Sequence, residues 1–222
     1  MPVGLPEPEF IDNPENRCPV ILLLDTSGSM YGDPITELNQ GVKIFKASVM
    51  EDELAALRVE VAVITFDSEV KVVQDFIAVE QFTPEKLTAS GGTSIGQAIE
   101  KALNLLEERK ETYRNNDIQY YRPWIFLITD GAPTDTWQEA AIRLRKAEAN
   151  GKLLFFTVGV QGADMETLSE IAPVERSPKQ LKGLDFQSLF KWLSASVKQV
   201  SAGKIGDKRP LPPTSGWEKI IS

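Results

Sequence analysis

The chain has 222 residues, 42% of them apolar and 25% charged, enough to bury one sizeable core. Its 24 lysines and arginines against 32 aspartates and glutamates give a net charge of −8, which argues against nucleic acid as a partner. Histidine is absent and Cys18 is the single cysteine, which excludes a His-based triad, an internal disulfide and a Cys/His metal site.

Residues 1–17 carry several prolines and little apolar pattern, and read as a leader. They show no basic segment followed by an apolar one, and no apolar run is long enough to span a membrane; a cytoplasmic location is expected. Val20 to Leu24 is a continuous apolar run ending at Asp25, the pattern of a strand buried on both faces. Pro34 to Leu57 has helical spacing, with Leu38, Val42, Phe45, Val49 and Leu54 on one stripe. Arg58 to Phe66 and Val70 to Ile77 read as strands. The short link between them implies a hairpin and one antiparallel edge.

Gly91–Gly92–Thr93–Ser94 is a loop, and Ser94 with Gln97 predicts a capping box for the helix carrying Ile99, Leu103 and Leu106. Arg114 to Tyr121 reads as a connection and Trp124 to Thr129 as a strand ending in a second aspartate, Asp130. Thr136 to Asn150 is helical, with Gly151 as its C-cap. Leu153 to Val160 is a strand; Met165 to Ile171 and Phe186 to Ser201 are helices. Residues 203–222 form a proline-containing tail that Trp217, Ile220 and Ile221 can dock onto a domain spanning residues 18–202.

Strands alternating with helices predict a doubly wound α/β fold: a mostly parallel sheet with one antiparallel edge strand and helices on both faces. In such sheets ligands bind beyond the carboxyl ends of the strands, where Asp25 and Asp130 fall. Asp25, Ser27 and Ser29 alternate in the loop after the first strand, and Gly28 gives that loop conformational freedom. Hydroxyls and carboxylates are hard ligands that suit Mg²⁺, Mn²⁺ or Ca²⁺. Thr93 offers a third hydroxyl and Asp130 a second carboxylate. The same residues could instead cap turns and satisfy backbone N–H groups.

Asp25-x-Ser27-x-Ser29, then Thr93, then Asp130–Gly131 resembles the metal-ion-dependent adhesion site of von Willebrand factor A and integrin I-type domains. The likeness runs from about Pro19 to Ser201. It implies that Ser27 and Ser29 bind the metal directly. It implies that Thr93 binds directly in the ligand-competent state and otherwise through water. Asp25 and Asp130 would act mainly through water, or switch shells between states. The remaining position would go to water or to an Asp or Glu of a protein partner. The run from Leu22 to Met30, with Gly32 and Pro34–Ile35, is similar to TerY-type bacterial A domains of tellurium-resistance and stress-response systems. The segments Phe190 to Ser196 and Leu211–Pro212–Pro213 with Trp217 are similar to that group too. This implies a cytoplasmic, non-enzymatic protein acting in a complex beside kinase- or phosphatase-like partners.

Competing motifs are weaker. Gly92–Thr93–Ser94–Ile95–Gly96 fits G-x-S-x-G, but lacks a clear preceding strand and a histidine. An apolar strand ending in aspartate is also similar to Mg²⁺-dependent haloacid-dehalogenase phosphatases, yet Ser27 stands where they need a second aspartate. A phosphatase or phosphotransferase, and a scaffold with a stabilising metal, stay as alternatives. Asp135 and Trp137 follow Asp130 closely and are candidates for the rim of the site; Trp137 could equally anchor its own helix.

Overall fold

The computed structural model describes residue 10 and residues 13–207 and 209–219. The apolar runs become β1 (Cys18–Asp25), β2 (Val59–Phe66), β4 (Trp124–Thr129) and β5 (Leu154–Gly159). β1, β2 and β4 are buried along their whole length, as strands covered on both faces must be. β3 (Val70–Ala78) is amphipathic and only partly buried. The helices are α1 (Asp33–Met50), α2 (Glu53–Arg58), α3 (Ile95–Asn115), α4 (Gln138–Ala149), α5 (Met165–Ile171) and α6 (Phe186–Ser201).

These strands and β6 (Lys179–Gln180) form one six-stranded sheet in the order β3-β2-β1-β4-β5-β6. Only β3 runs antiparallel, on an edge, as the short link after Phe66 predicts. The chain leaves β1 towards β2 on one side and later returns to place β4 on the other. That reversal opens a crevice at the carboxyl ends of β1 and β4.

Side-chain alternation along the central strands feeds two cores. Val20, Leu22 and Leu24 pack with Phe126, Leu38, Phe45, Leu189 and Leu193 under α1 and α6. Ile21 and Leu23 pack with Ile125, Leu127, Ile99, Leu144 and Leu168 under α3, α4 and α5. α1 and α6 approach closely at Gly41, where any Cβ would meet the Phe190 ring at 2.3 Å.

Three local readings are corrected and one strand is added. The helical stretch from Pro34 to Leu57 is two helices, because Asp52 adopts extended backbone and its carboxylate accepts from Ala55 N at 2.8 Å, starting α2 afresh. Ser94 makes no side-chain cap bond to α3. α3 also runs on to Asn115, so the connection begins later than Arg114. β6 was invisible in the sequence: two polar residues paired at an edge carry no periodicity.

Described parts of both chain ends pack on the domain. Phe10 lies between the Arg17 and Arg109 guanidiniums, 5.2 and 5.1 Å from its ring centre. Both arginines bond to buried Glu60. In the tail, Trp217 is buried against Trp192, whose indole N–H donates to Pro212 O at 2.8 Å. Glu218 forms an antiparallel bridge with Leu181. Ile220 and Ile221 lie outside the described residues.

Candidate metal centre

Strand termination sets up the first loop. Asp25 is the last residue of β1, in register with Phe66, and the next residue's N–H still donates to Phe66 O at 2.8 Å. The chain then turns through a short 3-10 segment, Gly28–Met30. Met30 is fully buried and anchors the loop from below, while Ser29 stays exposed. Asp25 is fully buried. Its Oδ1 accepts from Ser27 N at 2.7 Å and its Oδ2 from the Thr129 hydroxyl at 2.5 Å.

The hydroxyls of Ser27 and Ser29 are 3.0 Å apart, and the Ser29 hydroxyl donates to Asp130 Oδ1 at 2.6 Å. Residues from the ends of β1 and β4, separated by 101 positions in the chain, thus share one hydrogen-bonded set. Thr93 arrives from the loop before α3. That loop is tied to the first by Gly28 N to Gly91 O at 3.0 Å and Ser90 N to Thr26 O at 2.8 Å. Gly91 has φ +73°, and a Cβ there would meet Ser68 Oγ at 2.7 Å, so glycine is required. Thr93 reaches the Asp130 loop: a Cβ on Gly131 would sit 3.1 Å from Thr93 Oγ1. All five predicted site residues therefore gather at the crevice.

Electrostatics single the site out. Burial pushes the Asp25 carboxyl up to about 6, against the pull of hydrogen bonds from Ser27 and Thr129, and the nearby Asp130 charge adds to the rise. Burial also raises Asp130, opposed by the Ser29 hydroxyl. Among the described residues no lysine or arginine pairs with either carboxylate. Nor does any group of three or more His, Cys, Asp or Glu side chains gather among the described residues. The donor set is therefore hydroxyls with two partly desolvated carboxylates, which fits one hard divalent cation and leaves it incompletely neutralised.

Reading residue types found these five positions and missed the roles of their supports. Thr129 fixes Asp25 and also accepts from Gly131 N at 3.2 Å, but a threonine ending a strand reads as an ordinary β-former. Asp135 serves α3: its Oδ1 accepts from Gly96 N at 3.1 Å and its Oδ2 from Gln97 N at 2.9 Å. The Asp-to-glycine spacing of 39 residues hides such a cap from sequence. Trp137 packs at the edge of the core beneath α3 and α4.

A family model for the von Willebrand factor type A domain matches residues 20–190. The chain belongs to this family. The A domain is 25% identical over 162 residues to the collagen alpha-6(VI) chain of Mus musculus, covering 70% of this chain and 7% of that one. Solved structures share its fold. A von Willebrand factor type A protein from Catenulispora acidiphila is 16% identical, with TM-score 0.61 over 83% of this chain and 43% of its own. The pilus adhesin SpaC from Lactobacillus rhamnosus GG, in an open conformation, is 14% identical, with TM-score 0.68 over 83% of this chain and 30% of its own. Proximal thread matrix protein 1 from the mussel byssus, with a zinc-occupied MIDAS motif, is 20% identical, with TM-score 0.56 over 85% of this chain and 47% of its own. The A domain thus spans less than half the length of each of these relatives.

Proposed function

We propose that this A domain is a metal-dependent protein-interaction module. Asp25, Ser27, Ser29, Thr93 and Asp130 hold one divalent cation. Mg²⁺ is the first choice, because it retains water and demands octahedral geometry; Mn²⁺ and Ca²⁺ are alternatives. One position stays exchangeable and takes an Asp or Glu carboxylate of a protein partner. The observation that carries this reading is the Ser27–Ser29–Asp130 hydrogen-bonded set beside buried Asp25, with no lysine or arginine among the described residues paired to either acid. Two carboxylates at one crevice cost solvation that a bound cation returns. The mussel protein of the same fold, with its own MIDAS motif occupied by zinc, supports a divalent metal here.

Tyr31 is 80% exposed directly beyond the Ser27–Ser29 loop and offers an aromatic surface to a guest. We read the domain as non-enzymatic and cytoplasmic. We place it in a bacterial stress-response or tellurium-resistance complex with kinase- or phosphatase-like partners. The TerY-like segments around Met30, Trp192 and Trp217 support this setting.

The test is titration calorimetry with Mn²⁺ and Mg²⁺, followed by binding of a peptide bearing one glutamate in metal and in chelator. One metal per chain and peptide binding lost in chelator are expected. Binding that is indifferent to chelator, or phosphate-ester hydrolysis abolished by Asp25→Asn, would overturn the proposal.

A further inference from the structure

Thr134 lies four residues after Asp130, is exposed, and spends its hydroxyl and its N–H on another loop. Its hydroxyl accepts from Thr93 N at 2.9 Å, and its own N–H donates to Thr93 O at 2.9 Å. The two bonds close a ring between the segment carrying Asp130 and the segment carrying Thr93. The fit is tight on both sides. A Cβ on Gly92 would lie 3.0 Å from Thr134 Oγ1, and one on Gly131 would lie 3.1 Å from Thr93 Oγ1. Next to this ring, Asp135 fastens the same segment to the start of α3.

We infer that Thr134 is a positioning residue for the metal centre: it clamps the backbone of Thr93 against the Asp130 loop and so sets where the Thr93 hydroxyl stands relative to Asp130. The inference rests on the metal-dependent reading above. Its physical basis is geometric. Both backbone polar groups of Thr93 are engaged by Thr134, so the hydroxyl is the group left to address the crevice. The loop before α3 has no strand to carry Thr93 into place, whereas Asp25 and Asp130 adjoin strands of the sheet. Neighbouring bonds hold Gly91, Gly92 and Ser94, whereas the N–H of Thr93 itself is met by the Thr134 hydroxyl. Outer partners of metal ligands typically govern affinity by about 10–100-fold.

Mn²⁺ affinity is measured for the wild-type chain, Thr134→Val, Thr134→Ser and Thr134→Ala, and for Thr134→Val combined with Thr93→Ala or Ser27→Ala. Each melting temperature is recorded in chelator. Valine keeps the shape and the N–H and removes only the hydroxyl. Thr134→Val and Thr134→Ala are expected to weaken Mn²⁺ by about 10-fold or more. Thr134→Ser is expected to restore affinity to within about twofold, with chelated melting temperatures unchanged. The loss should vanish in the Thr93→Ala background and persist in the Ser27→Ala background, because the effect runs through Thr93. Wild-type affinity in Thr134→Val overturns the inference and leaves the metal reading standing. So does an equal loss in both backgrounds. A wild-type chain that binds no Mn²⁺ overturns both.

Discussion

The Thr129 hydroxyl bridges from the end of β4 to Asp25 Oδ2 at the end of β1, 2.5 Å away, and joins the two strands on which the crevice is built. It steadies a buried carboxylate, and burial still dominates, holding Asp25 at about 6 from an ordinary 3.8. Between about pH 4 and 6 the folded chain without metal therefore keeps a proton that the unfolded chain has released. Stability in chelator should fall as pH rises through about 4 to 6, by at most about 3 kcal/mol. Denaturant titrations at pH 5 and 7.5 check this: chelated protein is more stable at pH 5, and Mg²⁺ adds more at pH 7.5.

Ser27→Ala and Thr93→Ala should each weaken metal binding by about 10-fold or more while costing roughly 1 kcal/mol of fold stability. The Ser27 hydroxyl pairs with Ser29 Oγ, and Ser29 keeps its bond to Asp130 when Ser27 is truncated. Calorimetry and thermal melts in chelator separate the two quantities. Parallel losses in both would assign these hydroxyls to the fold instead.

At the other end of the sheet, Glu60 accepts from Arg17 Nε at 3.1 Å, Arg109 Nε at 2.9 Å and the Tyr113 hydroxyl at 2.5 Å. Glu60 is 3% exposed, so removing its charge takes a buried counter-charge from Arg17 and Arg109 and a strong acceptor from the Tyr113 hydroxyl. Glu60→Gln should destabilise by about 3–5 kcal/mol, read from the guanidinium midpoint. Metal affinity of the folded fraction should not change, since the network lies at the start of β2, away from the crevice.

Burial pushes the Cys18 thiol up to about 12 from 9.0. A raised thiol stays neutral at physiological pH, and stability falls only as pH climbs above the ordinary thiol value. Iodoacetamide at pH 8 should leave Cys18 unlabelled in the folded chain and label it readily in denaturant. Fast native labelling, followed by mass spectrometry, would mean that β1 opens locally.

Much of this architecture was legible because buried parallel strands read as unbroken apolar runs. Trp124–Thr129, Met165–Ile171 and Phe186–Ser201 match the pattern reading residue for residue. What stayed hidden depends on partners distant in sequence. The α1/α2 break turns on the backbone of Asp52 inside an otherwise periodic stretch. The start of α3 is served by Asp135 rather than by Ser94. At the crevice, alternating oxygens after Leu24 announce the first loop, but nothing local distinguishes Thr129 and Thr134 from ordinary threonines. Their work is done on Asp25 and Thr93, contacts that exist only once β1, β4 and the intervening loop are assembled.

The loops at the crevice already have their backbone bonds in place: Thr26 to Phe66, Gly28 to Gly91, Ser90 to Thr26, Thr134 to Thr93. On the proposed reading, a guest arriving there meets loops already tied to one another and pays little ordering entropy on entry. Its association should be governed by diffusion and orientation, with selectivity among guests expressed in how long each one stays.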